Sequence, residues 1–385
     1  MKEQIFLVRY GEMFLKSRSV LKYFISKLRY DLEEKIKIKG IEAKVSSFRD
    51  RLYIKAKEGE NMGIEQILKT TFGVHSFSLV YKLNTVDLKE IELFVKDQFK
   101  DYIKEKDTFA IRASKNSKQE YSTTDIGVTL GNLFDGKVNL KNPEKEIFVE
   151  VKEKETLIYT LIEKGLGGLP MGSSGKIMML ISGGIDSPVA SFLMNKRGCQ
   201  NVFLHFHSFP LVSKKSIDKV KDLLKLLKDY QSNIKLILLP FSEIQNHIKA
   251  LTEPKYRIVL YRRSMLRLAN EIALKENLKI LASGEALGQV SSQTLDNMYT
   301  ISEASKLPIL RPLISFDKIE IIDLAKKIGT YETSILPQED TCTLFTPKHP
   351  TTQADLEAIK KIEGNIGILE KEKEALTKLE YCDIF

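Results

Sequence analysis

MMLISGGIDSPVA, residues Met178–Ala190, is the stretch that decides the fold of this chain. A hydrophobic run ends at Ser182, a pair of glycines follows, and Asp186 precedes a second apolar segment. Ser187 followed by Pro188 is typical of a helix start, with the serine as N-cap and the proline at the first helical position. The stretch therefore predicts a strand, a tight turn and a helix whose N-terminus favours an anion.

The turn is predicted to hold the phosphates of a nucleotide. Gly183 and Gly184 allow the backbone to turn tightly and to bring its N–H groups close to an anion. Asp186 would repel a phosphate unless a divalent cation lies between them. The pattern therefore implies an Mg²⁺ ion that links the Asp186 carboxylate to the phosphates of the nucleotide. The alternative is an ordinary strand-to-helix turn, which often contains Gly and Asp. GSSGK at 172–176 is not a Walker A loop, because Ile177 replaces the required Ser or Thr.

Length and composition indicate a folded protein of two or three domains. The chain has 385 residues, of which 43% are hydrophobic and 29% charged. Its apolar runs are too short to span a membrane, and MKEQIFLVRY at the N-terminus is typical of a strand rather than a signal peptide. The three cysteines are too few and too scattered for a disulfide framework. We therefore expect a cytoplasmic protein that does not enter a membrane.

The positive charge is concentrated at the N-terminal end. The net charge is +9, and residues 1–60 hold 15 Lys and Arg against 9 Asp and Glu. This excess would suit contacts with phosphate groups of a nucleic acid. A lysine-rich surface without a nucleic-acid partner is the alternative.

Element patterns predict an α/β chain with three domains and one linker. Short strands and helices alternate in two small α+β domains, 1–60 and 61–165. The glycine-rich stretch at 166–176 is predicted as a linker. In 177–385 strands alternate with helices, which predicts a parallel sheet with helices on both faces. Ligands of such sheets bind outside the carboxyl ends of the strands, where the turn after Ile181 would lie.

Several motifs resemble those of the tRNA 4-thiouridine synthetase (tRNA sulfurtransferase) family. SGGIDS at 182–187 resembles the pyrophosphate loop, or PP-loop, of the ATP pyrophosphatases. The similarity to the synthetases extends over nearly the whole chain, in GLGGLPMGSSGKIMMLISGGIDSPVA, VRYGEMFLKSRS, FGVHSFS, LHFHS, SGEALGQVSSQT and LRPLISFDKIEII. The resemblance implies a ferredoxin-like domain, an RNA-binding THUMP domain and a Rossmann-like PP-loop ATP pyrophosphatase domain. The expected form is the short one without a rhodanese domain, for which a role in thiamine biosynthesis is doubtful.

By this resemblance the protein is an ATP-dependent tRNA sulfurtransferase. Such an enzyme adenylates the uridine at position 8 of tRNA, releases pyrophosphate and replaces O4 by sulfur from a cysteine persulfide, which gives 4-thiouridine. The implied partners are tRNA and a cysteine desulfurase as sulfur donor, and a homodimer would let one tRNA reach two chains. The alternatives are another adenylating PP-loop enzyme or synthetase, and an RNA-binding protein without catalytic activity.

The resemblance also implies which residues bind ATP. The expected residues are Leu180, Ile181, Ser182, Gly183, Gly184, Ser187, His205, Phe206, Arg262, Gly284 and Gln293. Arg263 is chemically as suitable as Arg262, so the register of this contact stays open. His205 and His207 alternate on one strand, but no acidic or cysteine companion is spaced to complete a zinc site.

Asp186, Lys318 and Cys342 are the expected catalytic residues. Lys318 would offset negative charge in the transition state, or would be a surface lysine after an Asp317 N-cap. Cys342 in QEDTCTLF matches the family's catalytic cysteine and would carry the persulfide. The acidic residues before it would raise the pKa of a simple thiol, whereas a persulfide is intrinsically more acidic.

The sulfur relay beyond Cys342 stays open. Cys199 lies just before a predicted strand and is expected in the core. Cys382 lies in the tail EYCDIF, which is expected to be mobile. The resolving cysteine is either of these or none.

The RNA-contacting residues are expected in the THUMP domain and near the N-terminus. IRASKNSKQEY at Ile111–Tyr121 places basic side chains beside a tyrosine, which suits phosphates and unstacked bases. The expected residues are Arg112, Lys115, Lys118 and Tyr121, with Arg9, Lys16 and Arg18 added from the first domain. A solvated charged loop is the alternative.

Overall fold

The computed structural model describes residues 3–48, 51–116, 118–337, 347 and 349–384 of the chain. The chain divides into two compact units, Met1–Gly168 and Leu169–Phe385. The division falls inside the predicted linker, where Gly167 and Gly168 have φ angles of 64° and 73°. Residues with a side chain rarely adopt this left-handed conformation, so glycine is the residue suited to the backbone at this boundary.

The first unit alternates strands and helices, with a 3₁₀ turn at Glu12–Leu15. Its strands are β1 (Glu3–Tyr10), β2 (Ala43–Phe48), β3 (Arg51–Lys57), β4 (Val74–Leu83), β5 (Thr108–Lys115), β6 (Lys137–Val138), β7 (Lys145–Val151), β8 (Thr156–Tyr159) and β9 (Glu163–Lys164). Its helices are α1 (Arg18–Ile38), α2 (Asn61–Lys69), α3 (Leu88–Phe99) and α4 (Thr123–Gly131).

Within the described residues of this unit the strands form one sheet. Their order is β2-β3-β1-β4-β8-β7-β5-β6, with β9 also paired to β4. The first part, β1-α1-β2-β3-α2-β4, has β3 antiparallel between β1 and β2 and β4 on the other side of β1. This is the split βαβ arrangement of a ferredoxin-like domain.

Strand β4 joins the two halves of the sheet. Its first residues pair with β1, whereas Tyr81 pairs with Ile158 on β8. Leu7, Val80 and Leu157 belong to one buried cluster that spans the junction. The boundary predicted at residue 60 falls between β3 and α2, before the strand that completes the first half. The pairing therefore favours a division after β4.

The second unit follows the strand–helix alternation that its sequence predicts. Its strands are β10 (Lys176–Leu180), β11 (Gln200–His207), β12 (Lys235–Pro240), β13 (Leu281–Ala282), β14 (Ile309–Leu310) and β15 (Glu380–Asp383). Its helices are α5 (Asp186–Lys196), α6 (Lys215–Leu227), α7 (Ser242–Leu251), α8 (Arg257–Lys275), α9 (Leu295–Ser302), α10 (Lys318–Lys327), α11 (Tyr331–Ser334), α12 (Leu356–Asn365) and α13 (Ile368–Leu376).

The strands of the second unit form a sheet in the order β14-β13-β10-β11-β12-β15 across its described residues. All neighbours are parallel except β15, which pairs antiparallel with β12. Met178, Leu204 and Ile237 pack against α7 and α8 in one buried cluster. Successive side chains of a strand point to opposite faces, so the buried Ile177 and Met179 face the other side. Burial on both faces explains why these strands are continuously apolar.

The C-terminal tail is an edge strand of this sheet. Cys382 lies in β15 opposite Leu236 on β12, with backbone hydrogen bonds along the pair. The expectation of a mobile tail is therefore wrong, since the strand pairing holds it. No helix in the described part of the chain is long and apolar enough to cross a membrane.

Candidate functional site

A cavity of about 460 Å³ lies at the carboxyl ends of the parallel strands of the second unit. Its volume is within the range of small-molecule sites. The predicted nucleotide residues that line it are Leu180, Ile181, Ser182, Gly184, Ser187, His205, Phe206, Arg262, Gly284 and Gln293, together with Asp186. Gly183 is not among the lining residues, although it belongs to the same loop.

The loop between β10 and α5 is closed by one hydroxyl group. Ser187 Oγ accepts a hydrogen bond of 2.9 Å from the Ser182 N–H and lies 3.1 Å from the Ser182 carbonyl, to which it donates. Helix α5 already begins at Asp186, with Pro188 as its third residue. The prediction of Ser187 as N-cap is therefore wrong: its side chain ties the loop together instead of capping the helix.

Gly284 permits a close approach of two backbone segments. A Cβ atom at this position would lie 2.8 Å from the Ser187 nitrogen and 2.9 Å from the Asp186 carbonyl carbon. Real Cβ contacts are not that short, so only glycine lets the loop after β13 reach the start of α5. Gly183 and Gly184 do not have positive φ angles. The turn of the loop therefore does not use a left-handed backbone conformation at these two glycines.

Both oxygens of the Asp186 carboxylate have partners at the edge of the cavity. Lys318 Nζ lies 2.6 Å from Oδ1, and Gln289 Nε2 donates to Oδ2 at 3.1 Å. Lys318 is the first residue of α10, after an Asp317 N-cap that forms a capping box with Glu320. The N-cap fixes the start of α10 and thereby the position of Lys318. The ion pair joins this lysine to Asp186, which lies 132 residues earlier in the sequence.

The structure distinguishes between the two adjacent arginines of α8. Arg262 lines the cavity and forms an ion pair with Glu285. Arg263 is 3% exposed and is bound on the other side of the helix by Glu303 and Glu363. Of the two, Arg262 is therefore the one available to a ligand in the cavity.

His205 is a buried, neutral side chain of the cavity wall. Its Nδ1 lies 2.9 Å from the carbonyl oxygen of Ile181, so Nδ1 carries the proton and Nε2 is an acceptor. Burial lowers the pKa of His205 to about 4, although the hydrogen bond to Ile181 opposes this effect. Nε2 has no hydrogen-bond partner among the described residues. Within the same part of the chain no cluster of three His, Cys, Asp or Glu could hold a metal ion.

The lowered pKa of His205 predicts a loss of stability in acid. Between pH 6.5 and about 4 the unfolded chain binds a proton that the folded one excludes, so stability falls as pH falls. This contribution decreases by about 2 kcal/mol from about pH 7 to about pH 5. The measurement is the free energy of unfolding in urea at about pH 7 and about pH 5. Between these pH values it should fall by about 2 kcal/mol less in His205→Gln than in the wild type. An equal loss in the wild type and in His205→Gln would contradict the prediction.

Part of the cavity lining is apolar. Phe206, Ile258, Met265, Leu266 and Ile301 form it, and α8 supplies three of these five. Apolar side chains together with the buried, unpartnered acceptors His205 Nε2 and Gln293 Oε1 suit a heterocyclic base better than a sugar or a phosphate. The cavity lining therefore combines apolar side chains with the PP-loop and charged side chains.

Cys342 lies outside the described residues. Before it, Ser334 Oγ donates a 3.5 Å hydrogen bond to the Gly184 carbonyl, and Lys219 Nζ donates to the carbonyls of Ser334 and Leu336 at 2.7 Å each. After it, the Thr351 carbonyl accepts a 2.8 Å bond from Asn297. The chain is thus attached beside the cavity both before and after the segment that contains the cysteine.

The two other cysteines are held within the second unit. Cys199 is 7% exposed, as expected of a core residue, and burial raises the pKa of its thiol despite the nearby Arg197. Cys382 is half-buried in β15. Neither side chain lines the cavity.

In the THUMP part, three of the predicted RNA residues bind within their own domain. Arg112 Nε donates to Glu146 at 2.7 Å, and Lys115 Nζ donates to the carbonyl of Tyr121. The Tyr121 hydroxyl donates to the Val86 carbonyl, and its ring packs on the domain core. These contacts favour a structural role for Tyr121 over base stacking.

The other predicted RNA residues differ in exposure. Arg9 donates to Ser78 at 3.0 Å and is 17% exposed. Lys16, Arg18 and Lys118 are exposed. Of the predicted set, these three can meet a phosphate without breaking a described bond.

Two functional candidates were missed from sequence, Glu285 and Gln289. Both line the cavity, and both lie in SGEALGQVSSQT, from which only Gly284 and Gln293 were chosen. Their position between two chosen residues after a strand was the available signal. This signal is weak, because an irregular segment has no repeating pattern from which the direction of each side chain could be predicted.

Three family models match consecutive parts of the chain. The ferredoxin-like domain model matches residues 5–78, the THUMP domain model matches 86–161, and the model described as thiamine biosynthesis protein (ThiI) matches 172–368. Their order confirms the predicted fold class. The end of the first match at residue 78 agrees with the pairing of β4 and β1.

Curated relatives are similar over almost the whole chain. A probable tRNA sulfurtransferase of Geobacillus sp. (strain WCH70) is 39% identical over 99% of this chain and 96% of its own. A probable tRNA sulfurtransferase of Oceanobacillus iheyensis is 38% identical over 98% of this chain and 95% of its own.

Two solved structures are similar over most of the chain. A crystal structure of a 4-thiouridine synthetase–RNA complex with bound ATP has a TM-score of 0.89 and 33% identity, with all of both chains covered. PH1313 from Pyrococcus horikoshii has a TM-score of 0.63 and 21% identity over 85% of this chain and 99% of its own, which shows a shared fold.

Proposed function

Because the chain belongs to the tRNA sulfurtransferase family, an ATP-dependent tRNA-thiolating enzyme family, we propose that ATP binds in the cavity and that the uridine at position 8 of tRNA is thiolated. The observation that carries this proposal is the cavity itself. Its lining combines apolar side chains such as Phe206 with the PP-loop, Arg262 and Asp186, which pairs with Lys318. This arrangement suits an adenine base and a triphosphate of one ligand.

The first reaction step is adenylation of the uracil O4. The O4 oxygen attacks the α-phosphorus of ATP, the bond to the β-phosphate breaks, pyrophosphate leaves with the electron pair, and the N3 proton of the uracil is released to solvent. AMP then becomes the leaving group in place of an oxide. The loop N–H groups, Arg262 and Lys318 stabilise the negative charge that develops on the phosphates.

Asp186 is the residue that would bind Mg²⁺ together with the nucleotide. Mg²⁺ is usually held by one or two carboxylates and the substrate phosphates, and Asp186 supplies a carboxylate at the loop. When bound, the ion neutralises phosphate charge. Asp186 must then exchange its contact with Lys318, whose side chain is 42% exposed and can turn toward the phosphates.

The second step transfers sulfur from a persulfide on Cys342. The terminal sulfur attacks C4, the C4–O bond breaks and AMP leaves, which joins the base to Cys342 through two sulfur atoms. A second thiol then attacks the Cys342 sulfur, so that a disulfide forms and 4-thiouridine leaves as a thiolate. A cysteine desulfurase supplies the persulfide.

The resolving thiol comes from outside the described residues of the chain. Cys199 is buried with a raised pKa, which makes it a poor nucleophile. Cys382 would have to leave its strand pairing with β12. A small-molecule thiol or a thiol of a partner protein accounts for turnover without Cys199 or Cys382. Such thiols stay reduced in the cytoplasm, which is therefore the compartment that the proposal requires.

Exposed basic residues of the first domain contact the tRNA phosphates. Replacing Lys16 and Arg18 together by Glu should weaken tRNA binding by roughly tenfold and reduce the salt slope, since each phosphate contact releases counterions. The matched control is Arg112→Gln, because Arg112 is already bound by Glu146. Fluorescence anisotropy with labelled tRNA at several salt concentrations measures both quantities. Unchanged affinity of the double variant would place the tRNA elsewhere.

One reaction tests the proposed function as a whole. It contains the protein, unmodified tRNA, ATP, Mg²⁺, cysteine and a desulfurase, and the tRNA is digested with a ribonuclease so that mass spectrometry of the fragments locates the thiolated nucleotide. We expect 4-thiouridine at position 8, and none when ATP, Mg²⁺ or the desulfurase is omitted. Release of AMP and pyrophosphate without a thionucleoside would favour another adenylating PP-loop enzyme. Light scattering of the same sample tests the expected homodimer.

A further inference from the structure

Glu285 is a buried carboxylate between two arginines at the cavity wall. It is 8% exposed and lies just after β13. Its Oε1 accepts from Arg262, and its Oε2 accepts from Arg311 Nε at 2.7 Å and from Ser283 Oγ at 3.0 Å. Three donors therefore hold one carboxylate, and only Arg262 among them is a basic residue of the cavity lining.

The carboxylate is ionised in the folded protein. Burial by itself would raise the pKa of Glu285, but the guanidinium groups of Arg262 and Arg311 more than offset it, and the pKa lies below its usual value. One negative charge thus neutralises two positive ones only in part. The cluster keeps an excess positive charge beside the cavity.

Arg311 anchors the cluster on the side away from the ligand. Its second nitrogen donates to Ser302 Oγ at 2.7 Å, at the end of α9, and its side chain is 15% exposed. Arg311 and Ser283 therefore fix the position of Glu285. Glu285 in turn fixes the guanidinium of Arg262.

Arg262 retains unused donors. Its Nε is buried and has no acceptor among the described residues, although Nη1 is bound to Glu285. A guanidinium that is held at one nitrogen and lacks a partner at another is prepared for a second acceptor. A phosphate oxygen is the acceptor that this group binds best.

We propose that Glu285 is a positioning residue that holds the Arg262 guanidinium in place for a phosphate group of the nucleotide. The proposal rests on the proposed function, because it takes the ligand of the cavity to be ATP. A preset guanidinium loses less side-chain entropy when the ligand binds. Glu285 therefore acts on nucleotide affinity through Arg262 and not through a contact of its own.

A double-mutant cycle tests this role with an ATP analogue whose α,β-bridge is a methylene group. We expect Arg262→Ala and Glu285→Gln each to raise the Kd by about tenfold or more, and the double variant to bind no more weakly than Arg262→Ala alone. Glu303→Gln is the matched control, because Glu303 binds the neighbouring Arg263 outside the cavity. It should bind the analogue like the wild type. Isothermal titration calorimetry measures all five proteins.

A conservative variant separates positioning from folding. Glu285→Asp keeps the charge that Arg311 requires, but its carboxylate is one methylene shorter and cannot hold Arg262 in the same place. It should show an intermediate Kd, with a melting temperature close to that of the wild type. Wild-type affinity in both Glu285 variants, or a loss that adds fully to that of Arg262→Ala, would overturn the proposal. A wild-type protein that does not bind the analogue would instead overturn the proposed function.

Discussion

Replacing Cys342 by serine should abolish 4-thiouridine formation while pyrophosphate release continues. We expect thiolation to fall by roughly three orders of magnitude or more, because a hydroxyl cannot carry the persulfide sulfur. In the proposed mechanism, adenylation uses the PP-loop and Lys318 and does not need this thiol. The variant therefore separates the two half-reactions.

The measurement is thionucleoside by mass spectrometry and pyrophosphate by an enzyme-coupled assay in the same reaction. Cys382→Ser and Cys199→Ser are the matched controls, since one thiol lies in β15 and the other is buried in the core. Both should thiolate at nearly the wild-type rate with a small-molecule thiol present. Full thiolation by Cys342→Ser, or its loss in Cys382→Ser, would contradict the sulfur pathway proposed above.

Asp186→Asn should abolish both half-reactions. The substitution keeps the size of the side chain and an acceptor for Gln289, but it removes the charge that pairs with Lys318 and that is proposed to bind Mg²⁺. We expect pyrophosphate release to fall by roughly a thousandfold, since several charge-stabilising contacts depend on this carboxylate. tRNA binding by the first unit should not change.

Stability distinguishes this loss from misfolding. The Asp186–Lys318 pair is 25% and 42% exposed, and such pairs contribute at most about 1 kcal/mol to folding. The free energy of unfolding should therefore stay close to that of the wild type. Asp222→Asn, in an exposed pair with Lys225 on α6, is the control and should retain activity. Pyrophosphate release by Asp186→Asn at the wild-type rate would exclude the proposed role of the loop.

Sequence reasoning was most reliable where the signal is local. The strand before Ser182 and the α/β alternation follow from hydrophobic periodicity over a few residues, and the structure has both. The loop is also local, because its glycines, acid and hydroxyl come from one hexapeptide. The same reasoning failed at Ser187, where a good N-cap residue instead bonds back to Ser182.

It was less reliable where a side chain's neighbour comes from a distant segment. The sequence did not reveal that the Tyr121 hydroxyl binds the Val86 carbonyl, and the role of Tyr121 in RNA binding stays a prediction. The boundary at residue 60 overlooked that β4 completes the first half of the sheet, which strand pairing alone reveals.

By itself the sequence determined the fold class, the position of the PP-loop and the family, since these depend on local patterns and motifs. Only the tertiary structure decided that Arg262 and not Arg263 lines the cavity, and that Glu285 lies between Arg262 and Arg311. Adjacent residues of a helix point about 100° apart, and which of them meets a ligand depends on the segments packed on each side. That packing joins residues that are far apart in sequence, and no local pattern contains it.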